Sequence, residues 1–153
     1  MKRTIIISLF VFTILKVSFA QESGYGAGIM LGEPSGLNGK YWLDNSQAVD
    51  LGVAAGLLGD GAGFSIHADY LYHVNDLVKW KYKTPFYYGF GLRMRFPSDN
   101  KMNFGVRGTV GLLMYLKEYP MDIFLEVAPS FRLLPTTGLD IDIAIGSRYF
   151  FKI

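Results

Sequence analysis

The chain has 153 residues, of which 50% are hydrophobic and 16% aromatic, with 18 glycines and no cysteine. Its 15 basic and 13 acidic residues give a net charge of only +2, which does not indicate a nucleic-acid-binding surface. The lack of cysteine excludes disulfides, a lipid-modified amino-terminal cysteine and any thiolate metal site.

Residues 1–20 have the pattern of a cleaved secretory signal peptide: two basic residues, an apolar run at residues 5–15, and small residues ending at Ala20. The apolar run is shorter than the roughly 20 residues that a membrane helix needs, and Lys16 interrupts it. Three basic residues leave with the signal, so residues 21–153 keep 12 basic and 13 acidic residues. We expect this remainder to be one domain without a membrane helix.

Hydrophobicity then alternates with a period of two through eight segments, which predicts eight strands. In chain order they are residues 24–32, 36–43, 47–57, 64–73, 85–96, 102–113, 121–132 and 138–151. Stretches rich in Gly, Pro, Asp, Asn and Ser separate most of them, including residues 32–36, 44–46, 59–63, 97–101 and 135–138. Because no helical segment lies between the strands, neighbouring strands should pair antiparallel.

The two faces of these strands differ in chemistry. In the fifth strand one face carries Phe86, Tyr88, Phe90, Leu92, Met94 and Phe96, and the other carries Gly89, Gly91, Arg93 and Arg95. Over all strands, the polar face holds six basic and six acidic residues, and the apolar face of the eight segments holds no charge. The twelve charged residues are Lys40, Asp50, Asp69, Arg93, Arg95, Arg107, Asp122, Glu126, Arg132, Asp140, Asp142 and Arg148.

The size of the side chains decides which face points inward. An eight-stranded barrel encloses little more than its own side chains. The apolar face has too many Tyr, Phe, Leu and Ile residues for that lumen, whereas the polar face is rich in glycine and alanine. We therefore predict an all-β, eight-stranded, antiparallel, up-and-down transmembrane barrel with its apolar face toward lipid. Its twelve lumen charges should form a network of ion pairs, because an unpaired buried charge is costly.

Several motifs carry a resemblance to a known family. They are residues 32–37 (GEPSGL), 40–43 (KYWL), 67–71 (HADYL), 105–107 (GVR), 124–129 (FLEVAP) and 145–150 (IGSRYF). These residues resemble an uncharacterised family of small bacterial outer-membrane β-barrel proteins, which is similar to OmpX and to the membrane domain of OmpA. The resemblance implies a fold and a compartment but no chemistry. The last strand also resembles the signal that the outer-membrane assembly machinery reads, although the chain ends in Phe-Lys-Ile rather than on an aromatic residue.

No catalytic or metal site is predicted. Ser65, His67 and Asp69 share one strand face, but neighbours at that spacing are roughly 7 Å apart, which is too far for a direct Ser–His hydrogen bond. They also point into the lumen, whereas an enzyme that modifies lipid would need its nucleophile near lipid. His67 and His73 lack a third metal ligand at a typical spacing, and we expect no cofactor.

One local segment suggests a binding role. Residues 79–83 alternate basic and aromatic side chains: Lys79, Trp80, Lys81, Tyr82 and Lys83. They could contact anionic lipid headgroups or lipopolysaccharide phosphates, or could simply extend a strand beyond the bilayer. Our segmentation places them in the longest connection, residues 74–84, on the side that faces the periplasm in this class of barrel.

The leading functional expectation is a monomeric outer-membrane barrel with a structural or surface-interaction role and no catalysis. A narrow pore for ions or small solutes is the alternative, and a lipid-A-modifying barrel enzyme is a third possibility. Its expected partners are outer-membrane lipids, among them lipopolysaccharide, and the assembly machinery during biogenesis.

Overall fold

The structure, a computed structural model, describes residues 23–56, 63–98 and 101–151. It contains eight antiparallel strands: β1 (Tyr25–Glu33), β2 (Ser35–Trp42), β3 (Gln47–Gly56), β4 (Gly63–Lys79), β5 (Lys83–Pro97), β6 (Asn103–Tyr115), β7 (Met121–Leu134) and β8 (Gly138–Phe151). Each strand pairs with the next, and β8 pairs with β1 to close the barrel. The prediction of an eight-stranded antiparallel up-and-down barrel is confirmed. The predicted signal peptide and most of the predicted turn at 59–63 lie outside the described residues.

The two ends of the barrel differ, and we name them by the chain termini. The terminal end is where β1 begins and β8 ends, and it also carries the turns at residues 43–46, 80–82 and 116–120. The far end carries Pro34, between β1 and β2, and the turn at residues 135–137, between β7 and β8. The connections that the structure describes completely are therefore short at both ends.

The predicted long connection at residues 74–84 is wrong. Most of this segment is strand, because β4 continues to Lys79 and β5 already begins at Lys83, which leaves only residues 80–82 as a turn. The register shifts between Val74 and Val78, and Asp76 in the middle of this bulge has a positive φ of 68°. The bulge interrupts the period-two pattern of hydrophobicity, and for that reason the sequence predicts a loop instead of a strand at these residues. The β4–β5 hairpin thus extends past the neighbouring strands at the terminal end.

Side-chain orientation follows the alternation through the body of the barrel. The inward positions of β3, of β4 from Ser65 to His73 and of β7 up to Ser130 are buried, and the positions between them are exposed or half-buried. Large apolar side chains cover the outer wall, among them Ile29, Leu31, Leu37, Leu51, Phe64, Ile66, Phe90, Leu92, Leu125, Ile141, Ile143 and Ile145. The apolar face therefore lies on the outside of the barrel, as the volume argument predicts.

The glycines of the inward face make room for larger side chains opposite them. A side chain at Gly52 would collide with the ring of His67, and one at Gly146 would collide with the ring of Phe124. Small and large residues therefore interdigitate in the narrow lumen, and two neighbouring strands share the space that a bulky residue needs.

Candidate functional site

The lumen brings the twelve predicted charged residues together. Ten of them are buried, namely Lys40, Asp50, Asp69, Arg93, Arg95, Arg107, Asp122, Glu126, Asp142 and Arg148. Arg132 and Asp140 lie at the far end, where their side chains are 30% and 28% exposed. The strand alternation positions all twelve, because each occupies an inward position of its strand.

The first group of contacts centres on Arg148 of β8. Its Nε and Nη2 donate to the two carboxylate oxygens of Asp122 at 3.0 and 3.1 Å, a two-point ion pair between neighbouring strands. Its Nη1 reaches across the lumen to Asp50 of β3 at 2.6 Å and to the amide oxygen of Asn38 of β2 at 3.0 Å. The guanidinium also stacks over the ring of Phe124, 4.3 Å from its centroid. One cation thereby neutralises two carboxylates and joins four strands.

The second group centres on Arg107 of β6. Its Nη2 lies 2.7 Å from Glu126 Oε1, its Nε 3.0 Å from Asp69 Oδ2, and its Nη1 3.5 Å from Asp142 Oδ2. The other oxygen of Glu126 accepts a hydrogen bond from the Tyr87 hydroxyl at 2.9 Å. Three carboxylates surround a single guanidinium, so this middle part of the lumen holds more negative than positive charge.

The opposite imbalance occurs at the far end. Arg93, Arg95 and Arg132 lie there with Asp140 and with Asp142, which Arg107 already contacts. Only the Arg93–Asp142 contact is short, at 2.9 Å, whereas the other contacts of these three arginines with the two carboxylates are 3.6–3.9 Å long. The lumen charges balance as a whole but not locally.

Lys40 has surroundings that the sequence reasoning did not foresee. Its Nζ lies 2.6 Å from His73 Nε2 and forms no ion pair with a carboxylate among the residues that the structure describes. Because His73 Nδ1 lies 3.1 Å from the carbonyl oxygen of Ser46, Nδ1 carries the proton and Nε2 accepts from Lys40. The ammonium group also lies over the ring of Trp42, 4.4 Å from its centroid. Ring faces and a neutral imidazole thus stabilise this buried cation.

The three residues that could suggest a hydrolase, Ser65, His67 and Asp69, each contact residues outside this group. Ser65 Oγ donates to the carbonyl of Ala54 at 3.4 Å, and His67 Nε2 lies 3.8 Å from Asp50 Oδ1. Asp69 forms an ion pair with Arg107 and accepts a hydrogen bond from the Thr109 hydroxyl. Ser65 and His67 therefore do not form a nucleophile–base pair in the part of the chain that the structure describes.

A layer of buried apolar side chains fills the terminal end of the lumen. It includes Trp42, Ala48, Leu71, Tyr87, Leu113, Tyr115, Phe124 and Phe150. This layer was not predicted from the sequence, where the charges of the inward face are the more conspicuous feature. The signal was present, because Phe124 and Phe150 share a strand face with Glu126 and Arg148.

The enclosed cavities that the described residues line are small. One cavity of about 10 Å³ lies among Met30, Pro34, His67, Arg107, Glu126, Asp142 and Ala144. Another of about 10 Å³ lies at the far end, among the arginines. Each has room for roughly one water molecule. Pro34 is buried against the first cavity, so the short β1–β2 turn covers the lumen there; Ser35 Oγ closes that turn with hydrogen bonds to Gly32.

The basic and aromatic segment at residues 79–83 lies at the tip of the β4–β5 hairpin. Trp80 is 71% exposed. Lys81 and Lys117, the latter from the next turn, lie over the ring of Tyr82 at 5.9 and 5.5 Å from its centroid, and Lys83 lies over Tyr115 at 5.8 Å. Lys117 thus belongs to the same surface, which we call the hairpin patch: Lys79, Trp80, Lys81, Tyr82, Lys83 and Lys117.

Comparison with known proteins finds no matching family model, no similar curated protein and no similar solved structure. The resemblance to OmpX and OmpA therefore stays a prediction. Within residues 23–56, 63–98 and 101–151 there is no helix suited to cross a membrane and no group of His, Asp and Glu residues suited to hold a metal ion.

Proposed function

We propose that this chain is an integral barrel of the bacterial outer membrane with a structural or surface-interaction role. The observation that carries the proposal is the inversion of the usual distribution of side chains. Leu37, Phe90 and Leu139 are each about two-thirds exposed on the outer wall, while Asp50, Asp122 and Arg148 are almost fully buried inside. A soluble protein rarely exposes a continuous apolar surface of this extent, whereas a barrel in lipid needs one.

Aromatic side chains support the same proposal, since they gather in two belts on the outer wall. Near the terminal end, Tyr25 stacks on Tyr41 at 4.6 Å and Tyr72 on Tyr88 at 5.7 Å between ring centroids. Toward the far end, Phe64 and Phe96 lie 6.2 Å apart, with Phe131 exposed on β7. Two aromatic belts with an aliphatic band between them are typical of membrane-spanning barrels, where they lie at the two interfaces.

The filled lumen favours a structural role over the alternative of a narrow pore. The enclosed spaces among the described residues hold about one water each. Ion pairs of Arg107 with carboxylates on β4, β7 and β8, and of Arg148 with Asp50 on β3, fill the lumen around them. A pore would require several of these contacts to break together, which exposes buried charges at a large cost. A lipid-modifying enzyme has no support from the contacts of Ser65 and His67.

We propose lipid headgroups as partners of the hairpin patch. In the usual orientation of such barrels the terminal end faces the periplasm, so these lysines would meet anionic phospholipids of the inner leaflet. Lipopolysaccharide phosphates would then belong to the opposite side. Export by the predicted signal peptide, insertion by the outer-membrane assembly machinery and a monomeric state complete the proposal.

Two neighbouring positions on β8 test the membrane location. Ile143 is 55% exposed on the outer wall and Ala144 is 7% exposed in the lumen. Each is replaced by cysteine, and the folded protein in vesicles is exposed to lipids that carry a thiol-reactive group in the acyl chain. We expect Ile143→Cys to react with these lipids and Ala144→Cys to react little. Equal reaction of the two, or a protein that stays monomeric in buffer without detergent, would contradict the proposal.

A further inference from the structure

Three arginines lie close together at the far end of the lumen. Each guanidinium has five N–H donors, and within the described part of the chain Arg93, Arg95 and Arg132 contact the carboxylates of Asp140 and Asp142. Asp142 is also a partner of Arg107, at 3.5 Å. Three guanidinium groups therefore gather around two carboxylates at this place.

Two buried groups at this place point to a missing acceptor. Ser130 is 2% exposed, and its hydroxyl has no hydrogen-bond partner among the described residues. Arg93 is 5% exposed, and its Nη2, although 2.9 Å from Asp142, makes no well-aligned hydrogen bond. The buried Nε of Arg132 also has no partner in the described part of the chain. Buried donors without an acceptor are unusual in folded proteins, and they call for an explanation.

These groups line one small space. Arg93, Arg95, Ser130, Arg132 and Asp140 surround the far-end cavity of about 10 Å³, which is large enough for one oxygen atom. Gly105, also in the lining, adds no side chain. Since Arg132 and Asp140 are partly exposed, a group larger than the cavity can approach from the open end and insert one atom.

We propose that this far-end pocket binds a phosphate group. One phosphate oxygen enters the cavity and accepts from Ser130 and Arg93, while the remaining oxygens accept from Arg95 and Arg132 at the rim. Phosphate fits this donor set better than a carboxylate because it offers more oxygens to the planar guanidinium groups and more negative charge. The phosphate can be inorganic or belong to a lipid headgroup, and the chemistry that recognises it is the same.

Asp140 has a specific part in this proposal. Its carboxylate lies 3.6 Å from Arg132 and 3.9 Å from Arg93, beyond hydrogen-bond distance. It competes weakly for the same guanidinium groups and moves aside when phosphate binds. Removing its charge should therefore strengthen binding, which is the opposite of the effect that a ligand-contacting residue would have.

The test is a calorimetric titration of the folded protein in a neutral detergent at constant ionic strength. One arm uses inorganic phosphate, and the other uses mixed micelles that contain a phosphomonoester lipid. In whichever arm binds, we expect Arg132→Gln to weaken binding at least tenfold, Ser130→Ala to weaken it several-fold, and Asp140→Asn to tighten it several-fold. Ser46→Ala, in the turn at the terminal end, is the matched control for Ser130→Ala and should leave binding unchanged in both arms.

Saturable binding of inorganic phosphate with this pattern of variants supports a site for the free ion. Binding of the lipid alone, with the same pattern, supports a site for a headgroup. The proposal fails if neither arm saturates, if Arg132→Gln binds like the parent protein, or if Asp140→Asn weakens binding. Because the titration reports the pocket and not the location of the outer wall, it can fail while the membrane proposal stands.

Discussion

Arg148 and Asp122 face each other across the β7–β8 pair and form a two-point ion pair, with both contacts near 3 Å. Asp122 is fully buried and Arg148 is 2% exposed. We expect Arg148→Ala to lower the free energy of unfolding by about 3–5 kcal/mol, because two carboxylates would remain buried without their cation. Unfolding by urea in detergent measures this loss. Arg132→Ala, which removes an arginine at the exposed rim, should cost much less; equal losses would contradict the network.

Arg107 and Glu126 should be energetically coupled. Each single change to alanine leaves a buried partner unpaired, so each should lower the melting temperature in detergent. The double variant should lose less than the two single losses together, with a coupling energy of roughly 0.5–3 kcal/mol. A double-mutant cycle provides the measurement. The hydroxyl of Tyr87 also donates a hydrogen bond to Glu126, and the variant Tyr87→Phe measures how much of the Glu126→Ala loss comes from that bond. Additive losses would mean that the 2.7 Å contact contributes nothing.

The purified protein should not conduct ions. The two enclosed cavities that the described residues line hold about one water each, and Pro34 covers the one beside Arg107 and Glu126. Recordings in planar lipid bilayers should therefore show a flat baseline over the voltages that membranes tolerate. Reproducible current steps that scale with protein concentration would support the pore instead and would require the ion pairs to open.

The hairpin patch should bind anionic lipid. Replacing Lys79, Lys81 and Lys83 by glutamine removes three charges from the exposed tip, and each such lysine is worth about 1 kcal/mol near an anionic membrane surface. Native mass spectrometry should then find fewer copies of an anionic phospholipid retained on the triple variant than on the parent protein. Retention of a zwitterionic lipid should not change. A loss that is equal for both lipids would point to a general disturbance of the hairpin.

The turn at residues 43–46 should respond to acid through Asp44. Hydrogen bonds from the backbone N–H and the hydroxyl of Ser46, at 2.7 and 2.9 Å, hold the pKa of the exposed Asp44 carboxyl below its ordinary value of 3.8. Because the pKa is lowered in the folded state, the turn is stabilised above the ordinary pKa and loses this contribution as the pH falls through the folded value. The amide proton shift of Ser46 in an NMR titration should therefore change with a midpoint below 3.8, and a midpoint at or above it would be inconsistent with these bonds.

The number of strands, their faces and the position of the charges were predictable because strand side chains alternate with a fixed period. The end of β4 was not predictable, because the bulge around Asp76 breaks that period. Which charges pair with each other could not be predicted from the sequence either. Arg148 on β8 contacts Asp50 on β3, which is not its neighbour in the sheet, and such contacts depend on how the closed barrel staggers its strands.

The β1–β8 pairing brings the start of the first strand and the end of the last strand side by side, with Tyr25 opposite Phe151. A short linker could therefore join residue 151 to residue 25, and the chain could be opened instead at the exposed tip of the β4–β5 hairpin. Such a circular permutant would keep every strand pair while changing which strand is made first. It would show whether assembly of this barrel depends on the order in which its strands are synthesised or only on which strands pair in the folded barrel.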